Sequence, residues 1–198
     1  MSMFTWLRKL VSSSHASTGP QSPAPDAALA NGEHWRALCA ATGKALALDD
    51  DADALWSEVE LALNEPEHYF SRFADDLAHR GIESPNAVSP WLALVDGLQR
   101  RGQIHEMDWK LDMGDAIWGL QQLQSSRQQG LSLDALTGSK AMGHDALTEA
   151  AAHLRSQGVA LVTFDIDSDS YPLSLLALED VEPLEKLAKR VGGKLIAL

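Results

Sequence analysis

The chain predicts an α+β fold, a helical layer of about six helices followed by a small C-terminal sheet, and two features of the sequence carry that expectation. Residues 33–158 hold successive apolar stripes at helical spacing, with capping residues and glycines between them. The last forty residues change to short, partly β-branched runs, "VALVTFDI" and "YPLSLLAL", around one further helix. At 198 residues and 45% hydrophobic content, the chain can bury one core.

The elements follow in order. "MSMFTWLRKLV" places Met3, Phe4, Leu7, Leu10 and Val11 on one stripe beside Arg8 and Lys9, a short amphipathic helix over residues 1–11. Its basic pair follows the apolar start, which is the reverse of a secretory signal. Two readings stand side by side: weak peripheral membrane contact through Phe4, Trp6, Leu7 and Leu10, or a helix that frays or docks on its own domain. Residues 12–32, rich in Ser, Pro, Ala and Gly with no apolar period, predict a flexible tether, and 33–198 a single α+β domain.

Within that domain the first three helical stripes are Trp35/Leu38/Cys39/Thr42/Leu46, Leu55/Trp56/Val59/Ala62/Leu63 and Tyr69/Phe70/Phe73/Leu77. Pro66 suits a first helical turn, and Gly81 suits the left-handed position after a last one. Ser89 caps a helix with Pro90 at its first position and Trp91, Leu94, Val95 and Leu98 inward. After a connector, "HEMDWK", Asp112 caps a helix lined by Met113, Ala116, Ile117, Leu120 and Leu123. Trp118 stands roughly 100° around that helix from Ile117. Leu147, Ala150, Ala151 and Leu154 mark the next helix, stopped by Gly158. The end reads strand, strand, helix, strand, with acidic residues opening the helix from Asp180 and basic ones closing it.

Charge narrows the function classes. Twenty-eight acidic against sixteen basic residues give a net charge of −12, which disfavours nucleic acid and anionic lipid as partners. A lone cysteine, Cys39, forms no internal disulfide or multi-thiolate site and suits a reducing cytosol. No apolar run approaches the roughly 18 residues of a membrane span. The expected location is cytoplasmic, with peripheral contact at the inner membrane under the anchor reading of residues 1–11.

The sharpest chemical signal is "FDIDSDSYPL", with Asp165, Asp167 and Asp169 at alternate positions before Tyr171. An EF-hand loop from Asp165 needs glycine at its sixth place and glutamate at its twelfth, where Ser170 and Leu176 stand. The D-x-D of haloacid dehalogenase-like phosphotransferases resembles "TFDID", but that fold needs a long parallel sheet after the motif, and too little chain follows. If the run is extended, the three carboxylates share one face while Phe164 and Ile166 pack the other. Asp and Ser also favour tight turns, so D-S-D-S between two apolar strands fits a hairpin tip. The seven histidines make no zinc motif, "TGSK" at 137–140 lacks the spacing of a phosphate loop, and Cys39 lies on a core stripe. No catalytic residue, metal or cofactor is therefore expected.

Trp109 in "EMDWK" either plugs the core or anchors a contact. In the second case Trp109 and Trp118 supply area, and Asp108 or Lys110 supplies direction. The D-W-K of Asp108–Lys110, the tryptophan-bearing helix after it and the "DIDSDSYPL" hairpin resemble a family of small bacterial proteins known only as a domain of unknown function. That resemblance implies an α+β fold and a bacterial cytosolic setting and carries over no activity. The chain also has a looser compositional similarity to immunity-type proteins of bacterial toxin systems. The expected function is a non-enzymatic acidic interaction module for a basic protein partner, immunity-like in character. Its candidate binding residues are Asp108, Trp109, Lys110, Trp118, Asp165, Asp167, Asp169 and Tyr171. The alternative is an enzyme using the Asp165/Asp167 pair for acid/base or metal-assisted chemistry.

Overall fold

The computed structural model describes residues 25–49 and 51–198. The expected helix at 1–11 and the tether residues 12–24 lie outside the described residues. Nine α-helices are described: α1 (Pro25–Ala45), α2 (Asp51–Asn64), α3 (Pro66–Arg72), α4 (Ala74–His79), α5 (Pro90–Arg100), α6 (Met113–Gln122), α7 (Gln124–Gln129), α8 (Gly143–Arg155) and α9 (Leu178–Arg190). Four strands accompany them: β1 (His105–Asp108), β2 (Val159–Asp165), β3 (Ser170–Ala177) and β4 (Lys194–Ala197). The fold class is α+β. Helix α1 begins at Pro25, so residues 25–32, assigned above to the tether, have helical backbone. No described helix is long and apolar enough to cross a membrane.

The capping residues act as their chemistry dictates. Ser89 Oγ accepts the Leu92 N–H at 3.1 Å, and Pro90 opens α5, where a missing N–H costs nothing. Asp112 and Asp115 satisfy one another's backbone N–H at the start of α6, a reciprocal capping box. The stripe from Tyr69 to Leu77 divides at Phe73, whose backbone leaves the helical region between α3 and α4.

Two sheet features differ from the expectation. "HEMD", read as connector, is strand β1, and all four strands form one antiparallel sheet in the order β1-β3-β2-β4. The sheet also has helices on both faces rather than a helical layer before it. Ala160, Val162, Phe164, Leu176 and Leu195 join a core with α1, α2, α5 and α9. Val159, Leu161, Leu173 and Leu175 join another with Met107, α6 and α8. An uninterrupted apolar strand such as β2 requires this arrangement, because alternate side chains enter opposite faces and both must leave water. Tyr69, Leu77, Leu92 and Ala93 form a smaller cluster where α3 and α4 meet α5.

Pro172 shapes the end of the sheet. The Trp109 N–H donates to the Asp169 carbonyl at 3.2 Å, so odd-numbered β3 residues turn their N–H toward β1 and even-numbered ones toward β2. Pro172 has no N–H for β2, and the β2–β3 pairing stops at Thr163 and Leu173. Pairing with β1 continues to Ser170. The hairpin therefore opens at its tip while β1 still braces one arm.

Candidate functional site: the open end of the sheet

That opened tip is the polar run of the sequence. Asp165 ends β2, residues 166–169 form the loop, and Ser170 begins β3. The segment is not uniformly extended: Asp165 Oδ1 accepts the Asp167 N–H at 2.9 Å, and Asp167 takes a left-handed φ of +54°. The expectation of three carboxylates on one strand face does not hold there. Asp165 sits opposite Lys194 on β4, and the two form an ion pair that holds the Asp165 carboxyl below the usual carboxylate range. The Trp91 indole donates to the Asp165 carbonyl at 2.8 Å while its ring stacks on Phe164. Asp165 is thus tied on three sides, whereas Asp167 and Asp169 are exposed and form no ion pair among the described residues.

The β1–β3 pairing carries the "DWK" segment to this loop. Asp108 stands opposite Ser170 and Met107 opposite Tyr171. The Asp108 carboxylate accepts the Lys110 N–H at 2.8 Å and makes the turn that leaves β1. Trp109 is 50% exposed, with the Lys110 ammonium 4.9 Å from its ring centroid. It borders a cleft of about 390 Å³ with Tyr171, Ile196 and Leu198. Trp118 belongs elsewhere. It is 57% exposed and lies edge-on to His105, at the far end of β1 from Trp109. Of the candidate residues, Asp108, Trp109, Lys110, Asp165, Asp167, Asp169 and Tyr171 gather at the sheet end, and Trp118 does not.

A second cleft, about 680 Å³, opens on the other side of the loop and contains groups the sequence reading missed. Arg80, just after α4, reaches Asp96 on α5 at 2.6 Å and Glu106 on β1 at 2.7 Å. Ser170 Oγ donates to the other Glu106 oxygen at 2.5 Å and lies 2.7 Å from Ser168 Oγ, which joins the loop to the network. Farther along the cleft, Arg100 binds Glu58 at 2.5 Å and Asp76 at 3.0 Å, and Arg101 binds Glu58 at 3.0 Å. Burial opposes the Arg80 charge, yet Glu106 and Asp96 more than offset it and leave its pKa raised. At Asp96 burial prevails over Arg80 and raises the carboxyl pKa. A third cleft of about 520 Å³ lies between Trp91, the loop and Gly192–Lys194, and Ser168 borders all three.

A signal for part of this network was present in the sequence. Asp96 interrupts "LALVDGL", and a carboxylate inside a wholly apolar helical stretch needs a buried cation. No group of three or more His, Cys, Asp or Glu side chains among the described residues is arranged to hold a metal ion. Cys39 is fully buried, and burial pushes its thiol pKa up to about 12.

A family model described as "Domain of unknown function (DUF6630)" matches residues 34–198, and the chain belongs to that family. No curated protein and no solved structure matches it.

Proposed function

We propose that this family member is a non-enzymatic, acidic interaction module that docks a basic protein partner on the open end of its sheet. The observation that supports this reading is the junction of Trp109 with Asp169. Backbone pairing fixes a half-exposed aromatic beside exposed carboxylates that no ion pair occupies among the described residues. An aromatic anchor contributes contact area at low entropic cost, and the flanking carboxylates orient a cationic partner. The net charge of −12 adds long-range attraction to the same class of partner. A masking role like that of immunity-type proteins fits such a surface, and a reducing cytosol suits the single buried thiol. The Asp165/Asp167 enzyme reading stays the alternative; against it, the Asp165 carboxylate is already engaged by Lys194 and by the Asp167 N–H.

Affinity capture from the native host at low salt, with mass spectrometry, tests the proposal. A basic protein should be recovered by the parent and by Trp118→Ala, released as salt rises, and lost with Trp109→Ala or Asp169→Lys while circular dichroism stays unchanged. Capture that survives Trp109→Ala and fails with Trp118→Ala would move the interface to the other end of β1 and defeat this reading.

A further inference from the structure

We propose that the cleft of about 520 Å³ between Trp91, the β2–β3 loop and Gly192–Lys194 is the docking site of the chain's own N-terminal segment, residues 3–11. Its walls are apolar. Trp35, Ile82, Pro90, Trp91, Ile166 and Val191 supply them, and all but Trp35 are only half-buried, so among the described residues apolar area there faces water. Its rim is acidic. Lys194 is engaged by Asp165, and Arg80 by Asp96 and Glu106, which leaves the exposed Asp167 as a rim charge that no ion pair occupies among the described residues. Such a groove takes an apolar row of side chains flanked by positive charge.

The N-terminal segment matches that groove in chemistry and in reach. Phe4, Leu7 and Val11 stand three and four residues apart on its apolar stripe, the spacing that groove-bound helices present, and Arg8 and Lys9 lie beside them. No Asp or Glu occurs before Asp26, so all twenty-eight acidic side chains lie in the rest of the chain and attract the segment's two basic ones. The attachment point is close. Trp35 on α1 is itself a wall of the cleft, and α1 begins ten residues earlier at Pro25, roughly 15 Å along the helix. Asn31, Glu33 and His34 are exposed, so α1 enters the core only at the cleft. The thirteen residues between Val11 and Pro25 can reach up to about 45 Å, well beyond that distance. Tethering over such a length gives a local concentration on the order of millimolar, so a contact too weak to hold a separate peptide suffices here. Anionic lipid is the competing occupant of the same stripe, and the net charge of −12 opposes it.

The test attaches a nitroxide to the full-length protein through Ser2→Cys and reads its broadening of backbone amides by NMR. Cys39 is fully buried with its thiol pKa pushed up to about 12, so the label goes to the introduced thiol. The amides of Ile82, residues 166–168, Gly192 and Gly193 should lose most of their intensity, and those of residues 119–122, beside His105 and Trp118, should keep theirs. Leu7→Asp, which puts a charge in the middle of the apolar row, should abolish the effect. Asp167→Asn, which tolerates the same left-handed φ and removes only the charge, should weaken docking by about twofold to fivefold. Broadening spread evenly over the surface, broadening that survives Leu7→Asp, or indifference to Asp167→Asn would each overturn the docking. So would broadening of isotope-enriched, unlabelled protein by spin-labelled protein in a mixture, which would make a second copy the source of the segment. Sharp cleft amides, together with flotation on phosphatidylserine vesicles that Leu7→Asp abolishes, would overturn it as well and give the stripe to a membrane.

Discussion

Trp91 holds the base of the loop, and Gly193 is what lets it do so. A Cβ placed on Gly193 would lie 2.2 Å from Trp91 Cε3 and 2.4 Å from Cζ3. Carbon–carbon contacts settle at about 3.5 Å, so Gly193→Ala drives the indole back by about 1.3 Å. That retreat breaks the 2.8 Å bond to the Asp165 carbonyl and disturbs the stack on Phe164, whose ring centroid is 5.7 Å away. Overpacking costs about 1–3 kcal/mol, a lost hydrogen bond about 1 and a disturbed aromatic pair about 0.5–1.5, and these overlap because one movement causes all three. The expected loss is about 2–4 kcal/mol, read by urea denaturation with circular dichroism. Gly192→Ala is the backbone control. Its φ is +79° with nothing within 4 Å, so it should cost only about 1 kcal/mol. In a Trp91→Leu background the clash is gone, and Gly193→Ala should then cost under about 0.5 kcal/mol. Equal costs of Gly193→Ala in both backgrounds would refute the reasoning.

Arg80→Met should destabilise by about 3–5 kcal/mol in the same assay, because it strands the buried Asp96 and removes a partner of Glu106. Trp118→Ala should cost about 1 kcal/mol or less, the value of an exposed edge-on contact with His105; a loss typical of a core tryptophan would contradict its placement. Because Lys194 depresses the Asp165 pKa, their pairing stabilises the fold above the unfolded carboxylate pKa of about 4 and is lost as pH falls through the lower folded value. Lys194→Ala should therefore move the Asp165 carboxyl titration upward in NMR, and an unchanged titration would discount the ion pair.

The parts of this fold legible in the sequence are those governed by near neighbours. Ser89 with Pro90, Asp112 at a helix start and Gly158 at a helix stop each act within one turn, and each stands where local chemistry places it. Strand β1 could not be found that way. Four residues with two carboxylates give no usable alternation, and "HEMD" is a strand because Ser170–Leu173, far along the chain, supply its partners. The uninterrupted apolar run of β2 was legible as a strand, but the cover on both faces that such a run requires was not drawn from it, and nothing in the run says which helices supply each face. The candidate site divides on the same line. "DWK" and "DSDS" stood out as motifs, but only the pairing of β1 with β3 makes them one surface. The ion network is the extreme case, since Arg80, Asp96 and Glu106 come from a loop, a helix and a strand with no spacing rule between them. Asp96 was the exception open to inference. A charge enclosed by leucines and valine demands a cation from somewhere, and asking which element could bring one directs attention to the arginines that close α4 and α5. Arg80 answers with two N–H donors to Asp96 Oδ1, and it does so from a loop sixteen residues away, a distance that no local pattern in the helix could announce.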